Sequence, residues 1–218
     1  MRLISVLIEA LGETALMVVA SGAIGFLFGT PLGVLLFLTR PGQVKANRTL
    51  NRTVGTLVNA GRSVPFIILL VAILPLTRLL TGTSIGTLAA IVPLTVQAIP
   101  FIARLVEGAL LEVPTSSAEA ARILGATTAQ VVWRVLLPEA LPAILNGATI
   151  ALIALVGYSA MAGVVGGGGL GDIGIRYGYQ RFDATVMVAV VVVLIVLVQA
   201  IQLAGERIVR AIDRRNRP

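Results

Sequence analysis

The sequence predicts an all-α polytopic membrane protein, a single transmembrane domain over residues 1–218 with five spanning helices and a polar loop at 112–140 between the third and fourth. Three observations carry this. Hydrophobic residues make up 57% of the 218-residue chain. Charges are missing from long windows, at 14–39, 63–77, 79–103, 140–171 and 184–205. Basic residues between the windows are distributed very unevenly.

The first window, if helical, is about 39 Å long, more than the roughly 30 Å of hydrocarbon in a bilayer. A signal peptide is the rival reading, but the run is too long for an h-region and no clear A-x-A site follows. Arg40-Pro41-Gly42 reads as a stop and a turn. The second window is short, and it spans only if its helix starts near Thr56 and carries Arg62, whose stem would snorkel toward the head groups. The remaining three windows each supply a full span. Ser21, Gly25, Gly29 and Gly33, spaced by four, form a ladder on which another helix packs closely. Pro31, Pro65, Pro75, Pro93 and Pro100 fall in or near spans and predict kinks. Apart from the second, no span holds an ionisable group at depth, which argues against a proton relay, a voltage sensor or a carrier built on buried carboxylates. Cysteine and histidine are absent, so disulfides and thiolate or imidazole metal sites are excluded.

Five spans put the termini on opposite sides. One side collects Arg40, Lys45, Arg48, Arg52, Arg104, Arg122, Arg134, Arg207, Arg210, Arg214, Arg215 and Arg217; the other has Arg2, Arg78, Arg176 and Arg181. The positive-inside rule then places the N-terminus outside, and the 112–140 loop and the C-terminus in the cytoplasm. The net charge of +7 belongs to this asymmetry. The basic tail lacks interleaved aromatics and directly follows an apolar run, so membrane lipid, not nucleic acid, is its partner.

Uncharged groups line any path through such spans. Tyr158, Ser159 and Met161 are the candidates, with helix packing as the alternative for each. Residues 166–174, GGGGLGDIG, match G-x-G-x-x-G twice, but without the strand and helix that the dinucleotide fingerprint needs. They read either as a flexible external loop, offering Arg176, Tyr177, Tyr179 and Arg181 to a partner, or as a loop folded back on the protein.

The polar loop opens after Pro114. Ser116 and Glu119 stand at capping-box spacing for a short helix that Gly125 ends, and Thr127 and Gln130 repeat the spacing for a second, running to Pro138. Ala120 and Ala121 give the first a low-relief face, flanked by Glu119 and Arg122. Trp133 suits the membrane interface. A segment lying on the membrane would explain the mixed polarity but not the glycine break. Lys45 is the only lysine and does not stand in a P-loop, so the chain has no such site for ATP. Energy must come from a partner, and a cytoplasmic helical knob is a means of receiving it.

Glu119-Ala120-Ala121, Gly125 and the run Val135-Leu136-Leu137-Pro138 resemble the EAA signature of ABC importer permeases, with valine where isoleucine is usual. Beyond it, GRSVPFIILLVAILPLTR, VLLPEALPAILNGATIALIALVGYSAMAGVVGGGGLG and YGYQRFDATVM resemble the permease subunits of methionine importers, over nearly the whole chain. The resemblance implies a type I importer in the bacterial inner membrane: a homodimer, with two cytoplasmic ATPase subunits that hold ATP and Mg, and an extracytoplasmic substrate-binding lipoprotein. The chain itself would need no cofactor. It also implies that Glu119, Ala120, Ala121, Gly125, Leu137 and Pro138 couple ATPase closure to the path. A permease for another amino acid or small solute, a stand-alone channel or ion-coupled carrier, and an inert anchor are the alternatives.

Overall fold

The computed structural model describes residues 2–212, within which every regular element is helical. Arg214, Arg215 and Arg217 of the basic tail lie outside the described residues. The helices are α1 (Arg2–Thr39), α2 (Arg48–Ser63), α3 (Phe66–Ala72), α4 (Leu74–Thr81), α5 (Thr87–Leu111), α6 (Thr115–Ile123), α7 (Thr128–Val131), α8 (Leu137–Val164), α9 (Gly169–Ile173) and α10 (Ala184–Ile212). A π-helical turn over Val132–Leu136 joins α7 to α8, and another over Gly174–Tyr179 follows α9.

Four helical stretches are long and apolar enough to cross a membrane, and α2 with α3 makes a fifth when the bent pair counts as one. The second span departs from expectation. It begins at Arg48 and breaks at Val64-Pro65, bending by 99°. Proline has no N–H to offer and forces the residue before it toward extended backbone, as Val64 shows with φ −82° and ψ 124°.

α1 and α5 form the main packing seam, and the predicted ladder makes it. The Cβ that Gly25 lacks would stand 2.8 Å from Ala98 Cβ, and that of Gly29 2.9 Å from the Ile99 carbonyl oxygen. At Gly33 the would-be Cβ falls 2.5 Å from the Ala103 carbonyl oxygen. The residue numbers rise together along both helices, so α1 and α5 run parallel. The broken segment α2–α4 therefore returns the chain to the face where α1 began, which makes five crossings in all. α8 packs on α5, with Gly147 against Leu105, and α10 runs back along α8, with Gly205 against Thr149. The core centres on Met17, Leu94, Ile102, Val106 and Leu155, whereas α10 is mostly exposed along its apolar length.

Charges reach further into the spans than the windows suggest. Arg104, which ends the third apolar window, and Glu107 both lie on α5, and Glu107 is buried. Arg104 donates to Glu107 Oε2 at 2.5 Å, to Asn59 Oδ1 at 3.1 Å and to the Gly55 carbonyl at 3.1 Å, while Arg40 stands 4.0 Å from Glu107. One guanidinium thus ties α5 to α2 beside the end of α1. A buried carboxylate is tolerated when paired and hydrogen-bonded in this way.

At the opposite end the glycine-rich stretch is folded back. Glu13 Oε2 accepts the Gly169 N–H at 2.6 Å and Thr14 Oγ1 accepts that of Leu170 at 2.9 Å, so α1 holds the start of α9. Gly163 packs directly on Gly171, an approach only glycine allows. Buried Asp172 pairs with Arg176, and this hydrogen bond holds the guanidinium pKa above its ordinary value. Arg181 covers the Tyr177 ring at 4.6 Å.

Candidate coupling site

α6 begins directly after Pro114, whose φ of −56° and ψ of 131° set the chain up for the first turn. The capping box expected of Ser116 and Glu119 does not form, because the helix already includes both and no side chain caps it. Its end follows expectation. Gly125 has φ +87°; its N–H donates to the Arg122 carbonyl at 2.9 Å, and the Ala126 N–H to that of Ala121 at 3.0 Å. This is the Schellman arrangement, with glycine at the left-handed position.

The second predicted capping box is present. Thr127 Oγ1 accepts the Gln130 N–H at 3.3 Å, and Gln130 Oε1 accepts the Thr127 N–H at 2.8 Å. The helix that follows does not stop at Pro138. It widens through the π turn and continues into α8, so α6 is the one free-standing helix of the loop. Pro138 directly follows the π turn inside this continuous helix, and the widened turn accommodates the missing N–H and the ring.

The six coupling candidates divide by direction. Glu119 and Ala120 are exposed on α6, whereas Ala121 turns inward with Ala118 and packs on the core, as Leu137 does from α8. Ala120 and Ala121 therefore do not share a face, as neighbours on a helix stand about 100° apart. Gly125 and Pro138 are exposed. Sequence reasoning missed Ile123 and Leu124, which are 86% and 87% exposed where α6 meets its glycine. Two large aliphatic side chains stand exposed beside an exposed carboxylate and make an apolar tip; their apolar character in an amphipathic stretch hid them. Trp133 is also exposed, at 72%.

The path candidates separate as well. Ser159 is buried and donates to the Val156 carbonyl at 2.8 Å. Tyr158 stacks on Phe66, centroids 5.0 Å apart, just past the break between α2 and α3. Met161 is exposed on another face of α8.

This architecture has known counterparts. The model of the family described as binding-protein-dependent transport system inner membrane component matches residues 25–218. The chain belongs to that family. Among relatives of this inner membrane component, a Vibrio cholerae protein named "Probable D-methionine transport system permease protein MetI" is 59% identical over 96% of the chain and 93% of its own length. The Escherichia coli K12 protein named "D-methionine transport system permease protein MetI" is 61% identical over 72% of each. A solved structure titled "Inward facing conformations of the MetNI methionine ABC transporter" superposes with a TM-score of 0.96 at 59% identity, covering 98% of this chain and 99% of the other. A chain of an amino acid ABC transporter, at 20% identity, shares the fold with a TM-score of 0.74.

Proposed function

We propose that this chain is the permease subunit of an ATP-binding-cassette importer and forms, as a homodimer, the path for methionine in its L- and D-forms. The observation that carries the reading is the full-length match, at 59% identity, to the permease chain of a methionine ABC transporter. In this reading two ATPase subunits sit in the cytoplasm and hold ATP and Mg, a substrate-binding lipoprotein docks outside, and this chain supplies no cofactor. The N-terminus lies outside and the C-terminus in the cytoplasm, supported by the arginine asymmetry.

The loop at 112–140 is the coupling element. Glu119 and Ala120 on α6, with Ile123 and Leu124 at its tip, present the docking face. Ala121, Gly125, Leu137 and Pro138 fix how that face is aimed, because they set the packing and the two ends of the loop. ATPase closure then moves α6, and α6 moves α5, to which the chain joins it, and α8 through the π turn on which it packs. Tyr158 and Met161 border the path.

Reconstitution of the complex in liposomes, with its binding protein and internal ATP, tests this. Labelled D- and L-methionine should accumulate only with hydrolysable ATP. Accumulation of another solute in place of methionine would overturn the substrate, and uptake without an ATPase subunit would overturn the class.

A further inference from the structure

The break between α2 and α3 brings together polar groups that packing alone does not require. At 3.6 residues per turn, Thr49, Thr53, Thr56, Ala60 and Ser63 fall on one side of α2, and all five are exposed. The opposite side, with Val54, Val58 and Gly61, packs inward. A hydroxyl-bearing face on a segment that passes as a span suits water better than lipid.

Arg62 closes α2 one residue before its end. It is exposed, and its guanidinium lies 5.8 Å from the centre of the Phe101 ring. Among the described residues it has no carboxylate partner. Phe101 stands near the middle of α5, so this cation sits at depth. An ionisable group there marks a functional site when it faces an aqueous space.

A second, independent observation comes from α5. Pro93 lines a crevice with Leu74 and Thr77 of α4, Pro100 meets Gly61, and Arg104 bonds Gly55 and Asn59. Residues at this spacing share one helix face, so Gln97 lies on the face of α5 turned to α2–α4, level with the break. Gln97 is 5% exposed, and its Oε1 accepts no hydrogen bond from the described residues. A buried amide oxygen left without a donor is costly and calls for an explanation.

We propose that Arg62 and Gln97 form a polar station for a zwitterionic amino acid at the α2–α3 break, on the α5 side of α2, with the hydroxyl face on the other side of that helix turned to water. The Arg62 guanidinium takes the carboxylate through paired N–H donors. Gln97 Oε1 accepts from the ammonium group, and because the amide is neutral it orients the solute without trapping it. Tyr158, stacked on Phe66 at the same break, shapes the apolar side. The station deepens the importer reading and rests on it.

The test uses the full complex in proteoliposomes, with uptake of labelled L-methionine and ATP turnover measured together. Arg62→Gln and Gln97→Leu should each lower uptake at least tenfold while assembly and basal ATP turnover stay normal, and Arg62→Lys should retain more uptake than Arg62→Gln. The chain has no cysteine, so Thr56→Cys and Leu57→Cys can be compared directly with a water-soluble thiol reagent. Thr56→Cys should react faster, at a rate that changes when ATP and vanadate trap the closed ATPase, and Leu57→Cys slowly in both states. Wild-type uptake by both Arg62→Gln and Gln97→Leu, or equal reactivity at the two cysteine positions, would overturn the station. Transport of a different amino acid with the same dependence on Arg62 would leave the station standing and refute only the methionine assignment.

Discussion

Gly125 and Glu107 show how single residues set the geometry at the proposed coupling end. Gly125 occupies φ +87° with open space around its Cα, so any substitution acts through backbone strain and not through a clash. Gly125→Val should cost on the order of 1–2 kcal/mol at the helix end. The expected result is a dimer that still assembles in the membrane, with less ATPase subunit retained on purification or with ATP turnover no longer linked to uptake. Normal values for retention, turnover and uptake would remove this glycine from the coupling device. Glu107 works differently, because it neutralises Arg104 and faces Arg40 just past the end of α1. Glu107→Ala leaves a partly buried guanidinium unpaired and should destabilise the fold by about 3 kcal/mol, seen as a lowered midpoint of thermal unfolding in detergent. Glu107→Gln, which keeps a hydrogen bond, should lose less. Gly125 and the Thr127–Gln130 box were legible in the sequence because their causes are local. Glu107 was not, since a charge reads as the end of a span until its partners from other helices are known.

At the scale of elements, the apolar windows located α1, α5, α8 and α10 but not their ends, and the window at 63–77 fell on α3 and the start of α4, leaving all but the last residue of α2 outside it. α1 and α5 run past the windows because Glu9, Glu13, Arg104 and Glu107 find partners, solvent or helix ends. The break at Pro65 was foreseeable as a kink, though its 99° bend depends on how α3 and α4 pack on α5. The two π turns left no mark in the sequence. The glycine run was open to two readings, and the hydrogen bonds from Glu13 and Thr14, both more than 150 residues away in sequence, fold it back. For the proposed coupling element the consequence is a directional one. α6 rests on the core through Ala118 and Ala121, which leaves its tip, Ile123 and Leu124, exposed. Ile123→Asp with Leu124→Asp should leave thermal stability nearly unchanged, as surface positions do, while ATPase subunits dissociate at least tenfold more readily in a pull-down with titrated ATPase. Unchanged association would move the docking face to Glu119 and Ala120 alone.

For the whole molecule, sidedness is the property that parallel packing of α1 and α5 makes testable. Because those helices run in the same direction and α8 and α10 alternate with them, Arg40, Lys45, Arg48, Arg52, Arg122, Arg134, Arg207 and Arg210 gather at one end, with Arg78, Arg176 and Arg181 at the other. That end-to-end contrast is what the positive-inside rule reads, and the proposed orientation, with the α6 knob in the cytoplasm where an ATPase would meet it, rests on it. Probe positions have to be chosen from the fold. Asp172 is buried against Arg176, and Asn47 caps α2 by accepting the Leu50 N–H at 3.0 Å, so cysteines at either would disturb structure. Ala46 and Gln180 are exposed at opposite ends, and neither side chain holds a hydrogen bond that its loss would break. In right-side-out membrane vesicles, a membrane-impermeant maleimide should label Gln180→Cys at once and Ala46→Cys only after the vesicles are opened. The reverse pattern would invert the protein in the membrane, place α6 outside, and with it remove the ATPase from the mechanism.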